Sequence, residues 1–145
     1  MKLKSKDFEH EGMIPSRFTC DGEDVSPHLE WSEVPAGTKS FALIVDDPDA
    51  PVGLWVHWLM CDIPPKVKEI PQRSVPRGAR QVQNDFGKPQ YGGPCPPSGI
   101  HRYFFKLYAL NVEKLEGAND KKSFYKKVEA NKIGEAVLMG KYKRK

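Results

Sequence analysis

Long apolar runs are missing from this chain of 145 residues. No stretch approaches the roughly 20 apolar residues that a membrane-spanning helix needs. The opening Met1-Lys2-Leu3-Lys4-Ser5-Lys6-Asp7 has charges where a secretory leader would have a hydrophobic segment. The expectation is a soluble, cytoplasmic protein with no membrane span. Cysteine is scarce: Cys20, Cys61 and Cys95 are the only three. An odd number without a C-x-x-C pair argues against a zinc or dithiol motif and predicts reduced thiols. No H-E-x-x-H spacing, zinc finger, helix-turn-helix or RNA-binding signature occurs, so neither a metal nor a nucleic-acid partner is expected. Repeats, low-complexity tracts and linkers are absent as well. Residues 1–145 therefore read as a single domain, long enough to bury a core unaided.

Aromatic residues make up 10% of the chain and hydrophobic ones 39%, enough for a packed interior. The net charge is +4, unevenly spread: residues 121 to 145 hold nine Lys/Arg against two Asp/Glu, ending in Lys141-Tyr142-Lys143-Arg144-Lys145. A solvated face with a frayed end explains such a tail better than a nucleic-acid arm. Twelve glycines and thirteen prolines cluster between short apolar segments. Phe41 to Val45 is a continuous apolar run, the pattern of a central strand, stopping at the Asp46–Pro51 loop. Trp55 to Ile63 predicts a second strand. Strict alternation sets Trp55, His57, Leu59 and Cys61 on one face and Val56, Trp58 and Met60 on the other. Arg102 to Leu110 predicts a third, with His101, Tyr103, Phe105, Leu107 and Ala109 on one side. Shorter strands are expected near Leu3–Phe8, His28–Trp31 and Val67–Ile70. Asp120 or Ser123 caps a helix through about Glu129, and Ile133, Ala136, Val137 and Gly140 continue at helical spacing. The fold class is mainly β with C-terminal helices.

Two proline-dense loops each adjoin a histidine on a strand. Asp46 to Pro51 leads to His57, and Tyr91-Gly92-Gly93-Pro94-Cys95-Pro96-Pro97-Ser98-Gly99 leads to His101-Arg102-Tyr103. Rigid loops lose little entropy on closing round a ligand. His57 and His101 can become cationic beside an anion, and Tyr103 adds a hydroxyl donor on the strand face of His101. Asp47 suits such a pocket if it holds a histidine tautomer, or if it meets the cationic end of a zwitterionic head group. Asp49 and Arg102 read as a structural pair, with Arg102 as scaffold. Against this, a single histidine on an apolar strand is more often a satisfied core residue. A proline-flanked Cys95 with no base nearby is more often an inert thiol.

These same segments, Asp47-Pro48-Asp49-Ala50-Pro51, Trp55-Val56-His57-Trp58 and Gly93-Pro94-Cys95-Pro96-Pro97-Ser98-Gly99-Ile100-His101-Arg102-Tyr103, resemble the signature segments of the phosphatidylethanolamine-binding proteins, which include the Raf kinase inhibitor proteins. The resemblance extends from Ser26-Pro27-His28-Leu29-Glu30-Trp31 to Leu138-Met139-Gly140-Lys141-Tyr142 and points to the bacterial and archaeal branch. It implies a central antiparallel sheet with a smaller second sheet and helices. It also implies a non-enzymatic pocket for phosphate-like anions or phosphoryl head groups such as phosphoethanolamine, without a cofactor. Carried over by position, Asp47, Pro51, His57, Gly93, Pro94, His101 and Tyr103 form the pocket, with Asp49 and Trp55 close by. A cis bond at Ala50–Pro51 and a homodimer are further implications, as is regulation of a protein partner. Two other functions stand beside this one: inhibition of a serine protease, and metal-assisted hydrolysis by His57, His101 and Asp47.

Overall fold

A computed structural model describes residues 1–144; Lys145, the end of the basic tail, lies outside them. The elements in chain order are β1 (Lys2–Lys4), β2 (Leu29–Ser32), β3 (Ser40–Ala50), β4 (Gly53–Ile63), β5 (Glu69–Ile70), β6 (Arg80–Val82), β7 (His101–Leu110), α1 (Lys121–Asn131) and β8 (Lys132–Tyr142). Two antiparallel sheets result, one ordered β1-β2-β5 and the other β6-β4-β3-β7-β8. The larger sheet is covered on both faces. On one side Phe41, Leu43, Val45, Met60, Phe105 and Leu107 pack against Leu29, Trp31 and Ile70 of the small sheet. On the other, Ala42, Ile44, Leu59 and Leu110 meet Phe124 and Val128 of α1. Burying each such side chain contributes roughly 1.5–3 kcal/mol, which is why β3 can be apolar in succession and not in alternation.

Strict alternation fails on β4. Val45 pairs with Trp58 but the next residue, Asp46, pairs with Val56, so His57 is the extra residue of a β-bulge. Val56 therefore shares the helix side with Leu59 and Cys61, while Trp58 and Met60 lie on the small-sheet side. His57 faces Tyr103 on that second side, which the uninterrupted alternation running back from Trp58 would have denied it.

Three other expectations are corrected. β3 does not stop at Val45 but runs to Ala50, because Asp46 and Asp47 are buried with hydrogen-bonding partners and need no loop to solvate them. No peptide bond among the described residues is cis. Ala50 pairs with Gly53 across a tight turn, where trans Pro51 has the fixed φ the first central position wants and Gly53 takes φ +100°. Finally, only the first of the expected C-terminal helices forms. α1 starts from an Asp120 cap that accepts from the Ser123 amide, and it ends at Asn131. Ile133 to Gly140 belong to β8, paired with β7 from Lys132 opposite Leu110 to Tyr142 opposite His101. The open edge of β7 needs a partner for its backbone, and helix would have cost about 1 kcal/mol at each of Gly134 and Gly140.

Gly140 tests this assignment by sign. A Cβ there would lie 2.5 Å from Ile14 Cγ1 and 2.8 Å from Phe8 Cε2. Gly140→Ala is expected to destabilise the protein by about 1–3 kcal/mol in urea unfolding. A helix at this position would instead gain about 1 kcal/mol from alanine.

Candidate functional site

The small-sheet side of the large sheet ends in a mostly apolar hollow with a few polar side chains converging on it. Asp47 on β3, His57 on β4, and His101 and Tyr103 on β7 all line one cavity of roughly 250 Å³. Asp47 and His101 are both buried, and Asp47 Oδ2 accepts from His101 Nδ1 at 2.7 Å. Its other oxygen accepts the Asp49 amide, also at 2.7 Å, so the carboxylate cannot swing away. His57 Nδ1 donates to the Gly92 carbonyl at 2.6 Å, and the Gly92 amide returns a bond to the His57 carbonyl. Burial holds His57 below its ordinary histidine range, only partly offset by the Gly92 carbonyl and the nearby Asp47.

Tyr103 is 1% exposed, and its hydroxyl has no hydrogen-bond partner. Burial, followed by the charges of Asp47 and Asp49, pushes it well above the usual tyrosine range, so it is a donor at every physiological pH. Its ring meets His57 edge-on, with centroids 5.2 Å apart, and stacks on His101 at 6.4 Å. Phe86 closes the other flank of His57, ring to ring at 5.2 Å, and touches Trp55. A larger hollow of about 540 Å³ lies elsewhere, between Lys39, Asn111 and Lys127, but it is an open depression edged by exposed charges. The chemistry is concentrated in the smaller one.

The remaining expected residues divide. Pro51 and Trp55 line the cavity. Asp49 does not: Arg102 grips it with Nε and Nη2 at 2.9 and 2.8 Å and with its backbone amide. That grip lowers the Asp49 carboxyl to about 2 and ties the end of β3 to β7. Gly93 and Pro94 lie behind the wall, where the Gly93 amide donates to Asp24 and the Pro94 carbonyl accepts from Cys20. A side chain at Gly93 would run into Asp24 and the Phe18 carbonyl, so only glycine permits this close approach. Sequence reasoning missed Val52, Phe86, Pro96 and Pro97 as lining residues. Phe86 gives no periodic signal because Asn84 shapes its loop, accepting from the Phe86 and Lys88 amides while donating to the His57 and Gln90 carbonyls.

Comparison with known proteins agrees with this geometry. A family profile described as phosphatidylethanolamine-binding protein matches residues 4–143. The chain belongs to the phosphatidylethanolamine-binding protein family. A UPF0098 protein of Methanothermobacter thermautotrophicus is 49% identical over 150 residues, covering 99% of each chain. Another, from Aquifex aeolicus, is 46% identical over 99% of this chain and 89% of its own. Among solved structures, Escherichia coli YbcL, described as a new member of the mammalian family, superposes with a TM-score of 0.93. It is 36% identical and covers 99% of this chain and 98% of its own. A putative phosphatidylethanolamine-binding protein homologue from Chlamydia trachomatis gives 0.92 at the same identity, over 99% of this chain and 97% of its own.

This member of the family closes its pocket wall covalently, which overturns the expectation of three reduced thiols. Cys20 and Cys95 form a disulfide with Cα atoms 5.4 Å apart, and Cys95 lines the cavity. The pairing was hidden in the sequence because it spans 75 residues. It is brought about by the bonds of Gly93 to Asp24, Cys20 to Pro94, and Tyr91 to the Phe18 carbonyl. Cys61 is the free cysteine, and burial raises its thiol to about 12. Unfolding without reductant is expected to release one titratable thiol per chain. Cys20→Ser with Cys95→Ser is expected to lower stability by roughly 2–4 kcal/mol, measured in urea under air. Three released thiols would contradict the pairing.

Proposed function

We propose that the cavity binds a small phosphate-like anion or phosphoryl head group, as a binding protein and not as an enzyme. The Asp47–His101 pair on the cavity wall carries this reading, a carboxylate-backed imidazole beside Tyr103, whose sealed and unpartnered hydroxyl costs about 1–3 kcal/mol until the wall shifts to admit a ligand oxygen. The histidines support it. Both have Nδ1 bound to an acceptor, and neither Nε2 is among the sealed, partnerless polar atoms, so both Nε2 atoms meet the cavity. In the neutral state each offers a lone pair there. An anion converts them to donors by drawing in protons, with Asp47 stabilising the imidazolium of His101. The metal-assisted alternative fits poorly, since both Asp47 oxygens are turned to His101 and the Asp49 amide. Among the described residues no group of three or more candidate ligands is arranged for a metal. No helix among the described residues is long and apolar enough to cross a membrane. A cytoplasmic setting, regulation of a protein target and a homodimer belong to the same proposal.

Sulfate is the cleanest probe because it stays dianionic between pH 8 and 5, so any pH dependence belongs to the protein. Its affinity, followed by calorimetry, is expected to rise as pH falls, with a slope of up to about two protons per anion where both histidines start neutral. Unliganded stability runs the other way. The folded value of His57 lies below the unfolded 6.5, so beneath that pH the unfolded chain binds more protons and stability declines. Saturating sulfate should restore it.

Tyr103→Phe separates this reading from an ordinary core tyrosine. The variant is expected to bind sulfate about tenfold more weakly yet to be as stable as the parent, or more so, when empty. Full affinity in this variant, or no sulfate binding at pH 6, would refute the proposal.

A further inference from the structure

The four histidines of the chain differ in which nitrogen carries a lone pair. His10 Nδ1 accepts the Met139 amide at 3.1 Å, and His28 Nδ1 accepts the Lys6 amide at 3.0 Å. Both neutral rings therefore carry their proton on Nε2, which in His28 points to Glu69. His57 and His101 are the reverse, with the proton on Nδ1 and the lone pair of Nε2 facing the cavity. The two are not equal nucleophiles. Behind His57 stands a neutral carbonyl, and its burial in a ring cage of Phe86 and Tyr103 makes it a poor base. Behind His101 stands the carboxylate of Asp47, locked by the Asp49 amide.

We propose that His101 Nε2 is a phosphoryl acceptor, taking a phosphoryl group from a small phosphoramidate or acyl phosphate to give a phosphohistidine. The idea rests on the anion reading of the same cavity. The Nε2 lone pair forms the new N–P bond while the bond from phosphorus to the donor's nitrogen or oxygen breaks. Its electron pair leaves with ammonia or a carboxylate. The Nδ1 proton stays on the ring, which becomes cationic as the bond forms. Asp47 at 2.7 Å meets that charge where it develops, an interaction stronger in the transition state than before it. Tyr103, stacked on His101 at 6.4 Å, holds the imidazole plane from the same cavity wall. At the mouth, Val52 is 76% exposed, which leaves the departing group an open path.

Phosphoramidate at neutral pH is the probe, with ³¹P NMR and alkaline peptide mapping as readouts that need no variant. His101 is expected to be labelled at least about tenfold faster than the exposed His10, the least a charge-assisted hydrogen bond contributes. Asp47→Asn, checked for native folding by its thermal transition, should slow labelling by a similar factor, and sulfate should compete. Labelling of His10 as fast as His101, no phosphate on His101, or a rate indifferent to Asp47→Asn would overturn the proposal. Sulfate binding without phosphohistidine overturns the transfer and leaves the pocket reading standing. Failure of both overturns both.

Discussion

A sheet covered on both faces has no water to offer its polar groups, and every charge buried in it must find a partner within the protein. That constraint organises the end of β3. Asp46 and Asp47 are adjacent and buried, and their side chains leave the strand on opposite faces. Asp46 accepts from Lys106 and Tyr125 on the helix side, and Asp47 from His101 and the Asp49 amide on the small-sheet side. Removing either set would leave an unpaired buried carboxylate, so the site is braced by the same bonds that let the sheet stay dry. The Asp49–Arg102 clamp then fixes the two strands to each other at the cavity rim.

Among the described residues the rule of satisfied polar groups is broken at Trp31 Nε1, Asp46 Oδ1 and the Tyr103 hydroxyl, and of these residues only Tyr103 lines the cavity. Tyr103 keeps an idle hydroxyl in an apolar setting, and His57 is held neutral by burial. Both features cost stability in the empty protein, and the anion proposed for the cavity would relieve them. The energy comes from the two cores on either side of the sheet, and from a wall secured by the Cys20–Cys95 bond. Rigidity there limits what binding must spend on ordering the loop.

Much of this was legible along the chain. Continuous apolar runs marked the inner strands, and Asp120 with Ser123 marked the start of α1. The pairing of Asp49 with Arg102 was expected from opposite charges that would tie one proline-dense loop to the other. The segments around Asp47, His57 and His101 carried the family resemblance. Misreadings came where local pattern and tertiary demand diverged. Ala136 and Gly140 are four apart, as on a helix, yet β7 needed an edge partner and took them into a strand. Gly93 and Pro94 are part of a signature segment, but their backbone groups serve the wall and not the hollow.

By itself the sequence picked out the segments around Asp47, His57 and His101 and determined the type of most elements, because burial period, caps and turn residues act over a few neighbours and need no knowledge of the rest. Only the tertiary structure decided that His57 faces Tyr103, that Cys20 meets Cys95, and that Tyr103 is left without a partner. Each of these depends on backbone registers between segments far apart in the chain. A one-residue bulge on β4 is enough to turn a side chain from one face of a sheet to the other.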